Sequence, residues 1–412
     1  MKINTIYHQE QEYKKERKRD LSITKHSKNP LHHPFMKERE LIRAINSTKL
    51  DRLFAKPFIT ALSYHREGIT QITKSSVNPY IVSTSFDNEI ILSDIENRTK
   101  ISKCNMNSKI KGIGIDNMNN VYIGDNKTIR ICNKKLDIKK SEKILNNSAI
   151  NNLEVDDALY VAGYNSVAIY DLEMRSKKIE YSVNNVDVIT HNKSFTHLVG
   201  FANEMKNFIV DMRLEKIVMD FTLPNKTNAM CFSPSDGYFL ASANEDTNGY
   251  IHDLRYIESP CNTLRGHVSA VTCIKYNPNG QELCTGSFDQ TIRIFKNSER
   301  KSREVYYNQR MHNIVGLEYS NDGKFIISGS DDGSLRLWKN EASLKSGPLS
   351  RKEKDVQTLS KVLIDKYKNV EEVERINKHR FIPKLLKEKM KQKHEHYEAE
   401  VRKGHIKKNN KF

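Results

Sequence analysis

A unit of about forty residues recurs along the middle of this chain, and no other feature limits its fold as much. The clearest copy is residues 266–296, GHVSAVTCIKYNPNGQELCTGSFDQTIRIFK; a second, 43 residues on, ends ISGSDDGSLRLWK at Lys339. Superposing them sets Ser287 on Ser330, Asp289 on Asp332 and Phe295 on Trp338. Short β-branched runs broken by Gly, Asn and Asp read as strands joined by tight turns. Traced backwards, a turn Asp is followed six residues later by the Phe295/Trp338 position. Asp87 thus gives Ser93 and Asp246 gives His252, while fainter copies end at Cys132, Tyr170 and Val210. The ends fall at 93, 132, 170, 210, 252, 295 and 338, which makes seven units. His65 precedes Asp87 by 22 residues, as His267 precedes Asp289, and this fixes the phase.

These units resemble WD repeats, which implies an all-β, seven-bladed propeller with four strands per blade. A closed ring leaves no sheet edge unpaired. Residues 52–62 (RLFAKPFITAL) are therefore expected to supply the outer strand of the last blade. The resemblance also gives His65 and His267 a structural role: such a His bonds a Ser or Thr and the turn Asp, ordering its blade. Asp87, Asp289 and Asp332 serve the turns, since Asp accepts local backbone N–H bonds. Ser287, Ser330 and Trp338 complete this structural set.

Several function classes fall away. No stretch approaches the ~18 apolar residues of a membrane-spanning helix. Residues 1–20 are charged throughout, without the apolar run of a secretory signal. The six cysteines form no Cys-x-x-Cys pair, which suits reduced thiols better than a disulfide frame or a zinc site. Gly112-Ile113-Gly114 lacks the third glycine of a dinucleotide fingerprint, and Gly329-Ser330-Asp331 is not a nucleophile elbow. His394-Glu395-His396 is not H-E-x-x-H. No catalytic residue, cofactor or metal site is expected.

The net charge of +17 is unevenly spread: residues 1–56 carry +7 and residues 340–412 carry +9, leaving +1 for the body. The expected organisation is a basic N-terminal arm (1–51), the propeller (52–339) and a basic helical C-terminal region (340–412). Two arms of one sign flanking a neutral body point to a polyanion. In the first arm Lys14, Lys15, Arg17, Lys18 and Arg19 are candidate phosphate contacts, and the same stretch equally fits a nuclear-import signal. Further along it, helical spacing appears at Leu41, Ile42, Ile45 and Leu50.

After Gly347-Pro348 the periodicity becomes helical across residues 351–378, with Val356, Leu359, Val362, Leu363, Val370, Val373 and Ile376. Pro383 opens a second helix. Its narrow stripe is Leu386, Met390, His394, Tyr397 and Val401, suited to a partner groove or to the chain's own propeller. Its other faces carry Lys384, Lys387, Lys389, Lys391, Lys393, Arg402 and Lys403, and Lys407 and Lys408 follow Gly404. These basic residues are the second set of candidate RNA contacts.

The arms support a narrower match. Leu31-His32-His33-Pro34-Phe35, Asn46-Ser47-Thr48-Lys49-Leu50, Ser302-Arg303-Glu304-Val305-Tyr306 and Lys378-His379-Arg380-Phe381-Ile382-Pro383-Lys384 resemble the suppressor-of-fibrillarin family, nearly end to end. That resemblance implies a nucleolar, non-enzymatic WD-repeat scaffold of the small-subunit processome. Its partners would be pre-rRNA, small nucleolar ribonucleoprotein components and other processome proteins, with no membrane, as a monomer within a large assembly. A rival reading is a substrate receptor of a cullin-RING ubiquitin ligase, which animal members of this family resemble. Its feature is Asp-x-Arg after the Trp position; Asp211-Met212-Arg213 and Asp253-Leu254-Arg255 fit it without the preceding Trp.

Overall fold

A computed structural model describes residues 35–134, 136, 142–146, 148–174, 176–344 and 347–403. Its chain divides into two compact units, residues 56–344 with 380–412 and residues 1–55 with 345–379. This differs from three consecutive segments, because the C-terminal helices are shared between the units.

In the larger unit the described residues form seven four-stranded antiparallel sheets. Six are consecutive in sequence, spanning 69–105, 112–145, 150–181, 188–222, 227–264 and 271–306. The seventh joins three strands of 314–339 to Phe58–Ser63, which pairs with Ser334–Lys339 in a register setting Leu62 opposite Leu335. The closing strand therefore comes from before the first repeat, as expected, but it begins at Phe58. Arg52 and Leu53 instead end helix α1 (Met36–Leu53).

Each inner strand packs on the next, and Ile69–Lys74 meets Ile314–Tyr319 to complete the circuit. The apolar cores lie between neighbouring blades: Val82, Ile90 and Leu92 of blade 1 pack with Ile113, Val121 and Ile123 of blade 2. Ser93, Cys132, Tyr170, Val210, His252, Phe295 and Trp338 are all buried, at 0–4% exposure. The faint blades thus keep the pattern of burial where they lose the signature residues. Gly112 and Gly114 are packing glycines: a Cβ on Gly112 would lie 2.7 Å from the backbone nitrogen of Leu153 on the neighbouring inner strand.

The smaller unit contains α1, α2 (Arg351–Lys366) and α3 (Glu371–Lys378). The single helix expected over 351–378 is broken at residues 367–370, where the apolar stripe already skips from Leu363 to Val370. Ser350 caps α2 through a reciprocal box: its Oγ accepts from Glu353 N, and Glu353 Oε2 accepts from Ser350 N at 3.1 Å. In α1 the buried residues are Ala44 and Thr48, whereas Ile42 and Leu50 are exposed. Small side chains on that line let the helices approach, and Val373 of α3 is fully buried. Lys366 Nζ and Tyr367 Oη donate to Glu40 at 2.6 and 2.9 Å, and Arg52 donates to the carbonyl oxygen of Asn377 at 2.8 Å.

Candidate functional site

Blade 6 shows what the repeat residues do. His267 Nε2 lies 2.7 Å from Thr285 Oγ1, and its Nδ1 lies 2.9 Å from Asp289 Oδ2. Asp289 also accepts from Val268 N, Thr291 N and the Thr291 hydroxyl, so one carboxylate ties two loops together. Burial works to raise the Asp289 carboxyl, but the imidazole charge and these hydrogen bonds outweigh it and hold the group far below its ordinary value. Burial depresses the His267 imidazole against the opposing pull of Asp289. Ser287 donates to the carbonyl oxygen of Ser269 and accepts from Asp289 N.

The equivalents in blade 7 are closed in the same manner. Ser330 accepts from His312 N, and Asp332 accepts from Ser334 N and pairs with Arg336. Trp338 donates from Nε1 to Ser328 Oγ at 2.9 Å, between Phe58 at 5.4 Å and Tyr306 at 5.7 Å. Blade 1 departs from the pattern. His65 Nε2 is 2.7 Å from Ser83 Oγ, but its Nδ1 has no partner, and Asp87 keeps only the two equivalent backbone bonds, from Arg66 N and Glu89 N.

Helix α4 (Lys384–Arg402) belongs to the same unit as the propeller. Lys393 Nζ donates to the carbonyl oxygen of His267 at 3.0 Å and to Thr247 Oγ1, and Arg293 donates to Met390 Sδ at 3.7 Å. The helix is thus seated on the turns of blades 5 and 6. Leu386, Met390, Tyr397 and Val401 are half-buried, as their spacing requires. Two assignments change. His394 is exposed and pairs with Glu398 at 3.2 Å, outside the stripe. Lys393 is exposed like its neighbouring lysines, but its ammonium bonds the propeller. At ~3.6 residues per turn, positions 393 and 394 flank the line of 386, 390, 397 and 401 about equally, so the hydrogen bonds of Lys393, and not its spacing, set the two apart. Partial desolvation lowers the Lys393 ammonium against the pull of Asp246.

Lys384, Lys387, Lys389, Lys391, Arg402 and Lys403 are exposed. Lys14, Lys15, Arg17, Lys18, Arg19, Lys407 and Lys408 lie outside the described residues. The two Asp-x-Arg triplets are closed on themselves. Arg213 donates through Nε and Nη2 to Asp211 at 3.1 and 2.8 Å, and Arg255 does the same to Asp253 at 3.0 and 2.8 Å. The Arg213 hydrogen bonds hold the Asp211 carboxyl at about 2.

One convergence escaped the sequence. Glu154, Cys231, Lys275 and Glu318 occupy one register position on four inner strands, around the axis of the ring. Lys275 pairs with Glu318 at 2.9 Å, and Glu154 accepts from His191 N at 2.9 Å. Burial pushes the Cys231 thiol up, and Cys273 up to about 12, so neither is an activated nucleophile. Four of the seven blades contribute one such residue each, and no local motif announces the set.

Known proteins agree with this architecture. A family model described as "Sof1-like domain" matches residues 340–411, and one described as "WD domain, G-beta repeat" matches 258–296 and 304–339. A Dictyostelium discoideum protein named "DDB1- and CUL4-associated factor 13" is 32% identical over 98% of this chain and 94% of its own length. The Xenopus laevis protein of that name is 30% identical over 95% and 91%. The chain belongs to the Sof1 family of WD-repeat proteins. "Protein SOF1" of Saccharomyces cerevisiae is a further Sof1 relative, 27% identical over 94% of this chain and 87% of its own. The crystal structure of the WD40 beta propeller domain of Doa1 superposes with a TM-score of 0.60, covering 69% of this Sof1 chain and 97% of that one, at 16% identity. The Sof1-like segment spans helices of both units, α2 and α3 in one and α4 in the other.

Proposed function

We propose that this Sof1-family chain is a non-enzymatic nucleolar scaffold of the small-subunit processome, supporting maturation of small-subunit rRNA alongside other processome proteins. The observation that carries the reading is α4, which keeps Lys384, Lys387, Lys389 and Lys391 in solvent while Met390 and Lys393 hold the propeller. A near-neutral ring thus carries solvent-exposed cations on its docked helix, and the sequence adds a further basic run at residues 14–19. Such contacts position a protein on RNA without reading its sequence.

Each phosphate neutralised on single-stranded RNA releases counterion with a slope near −0.7 in log affinity against log salt. Changing Lys384, Lys387, Lys389 and Lys391 to Gln should flatten the slope of the full chain by up to about 3 units. In cells that variant should accumulate unprocessed small-subunit precursor, with large-subunit rRNA spared. Normal maturation together with an unchanged slope defeats the reading. The ligase-receptor alternative draws on the names of the animal relatives. Against it, both Asp-x-Arg arginines are occupied by their own aspartates. Recovery of the tagged native protein with ligase subunits, and not in gradient fractions holding ribosome precursors, would favour that alternative.

A further inference from the structure

Blades 1 and 6 share their His and Asp at the same spacing, but they differ two residues after the Asp. Blade 6 has Thr291 there, and its hydroxyl donates to Asp289 at 2.6 Å. Blade 1 has Glu89, so a second carboxylate enters the turn. His65, Asp87 and Glu89 bring one ligand atom each to within 4.8 Å of one another. Among the described residues this is the one group of three or more His, Cys, Asp or Glu side chains so arranged.

Two of these side chains also carry an orphaned atom. His65 Nδ1 and Glu89 Oε2 are buried with no hydrogen-bond partner, in residues 8% and 7% exposed. Ser83 engages His65 Nε2, so Nδ1 is the nitrogen left over. Lys103 pairs with Oε1 of Glu89, which offsets one charge and leaves Oε2 unclaimed. A buried imidazole nitrogen and a buried carboxylate oxygen are costly when unmatched, and blade 6 shows how the same turn is built when they are matched.

We propose that the blade 1 turn binds a divalent first-row metal ion of the zinc class, through His65 Nδ1, Asp87 and Glu89 Oε2. One nitrogen and two carboxylate oxygens suit Zn²⁺ or Co²⁺, whereas Mg²⁺ and Ca²⁺ favour oxygen ligands alone. Bonds of about 2 Å would draw the donor atoms to about 3.3 Å from one another, a modest tightening of the turn. The site stands at the seam where the ring closes. A Cβ on Gly68 would meet Asp331 of blade 7 at 2.3 Å, and one on Gly333 would meet the carbonyl oxygen of His65 at 3.0 Å. An ion there would staple the first blade beside the joint with the last.

The full-length protein, stripped with chelator, is titrated with ZnCl2 by calorimetry and with CoCl2 by visible absorption. It is compared with Glu89→Thr, which recreates the chemistry of blade 6. The native chain is expected to bind one equivalent more than the variant, to show a cobalt absorption band that the variant lacks, and to gain thermal stability from Zn²⁺ where the variant does not. Should Glu89→Thr not fold, Asp87→Asn replaces it, with the same readouts. Equal stoichiometry and equal cobalt spectra in native and variant protein would mean an imidazole–carboxylate pair only, and would overturn the proposal.

Discussion

At the position where blade 7 buries Trp338, blade 5 buries His252. Its ring centre lies 4.4 Å from that of Phe221, beside a cavity of about 440 Å³ that Tyr250, Leu223 and Ile257 also line. Burial pushes the imidazole down from 6.5 to about 4. The unfolded chain therefore takes a proton near pH 6.5 that the folded chain refuses until about pH 4. Stability from this residue is complete above pH 6.5 and drains away as pH falls through that window. His252→Phe keeps a ring and removes the titration, so its melting temperature should fall less than that of the native chain between pH 7 and pH 4. Identical profiles would refute this account. His252 was legible as a repeat position, because a six-residue offset from Asp246 is a local pattern. Its orphaned Nδ1 was not, because that depends on what the neighbouring blade brings against it.

Among the elements, α4 has its charge and its attachment on different faces. Leu386→Asp with Met390→Asp should release the helix from blades 5 and 6 without removing a cation. Amide hydrogen exchange across residues 384–402 should accelerate, with the melting temperature of the propeller little changed and the salt slope of RNA binding retained. If RNA affinity falls together with the docking, the helix is a single surface and the two-faced reading is wrong. The stripe was readable from spacing, and Pro383 marks the start of the helix as its N-cap. The place of Lys393 was not readable. Its acceptor, the His267 carbonyl oxygen, is 126 residues away, and a lysine flanked by lysines reads as solvated until a surface is laid against it.

At the scale of the whole molecule, the ring depends on Phe58–Ser63 meeting Ser334–Lys339. Adjacent residues of a strand point their N–H groups to opposite edges. Of Ala61→Pro and Leu62→Pro, one must remove a ladder donor facing the last blade. That variant should lose on the order of 1–3 kcal/mol and scatter more light on heating, because it frees a sheet edge. Two variants with native melting curves would mean that the strand does not close the ring. The sequence by itself determined the seven units, their phase, the source of the closing strand and the two basic arms. Each of these is written in spacings of a few to about forty residues, which period and burial preserve even where Trp has become Cys132 or Val210. Only the tertiary structure decided that α4 shares a unit with the propeller, that Glu154, Lys275 and Glu318 face one axis, and that Glu89 joins His65 in one turn. These meetings arise where each partner is contributed by a separate strand or blade, and the chain encodes them through packing and charge, not through any local pattern.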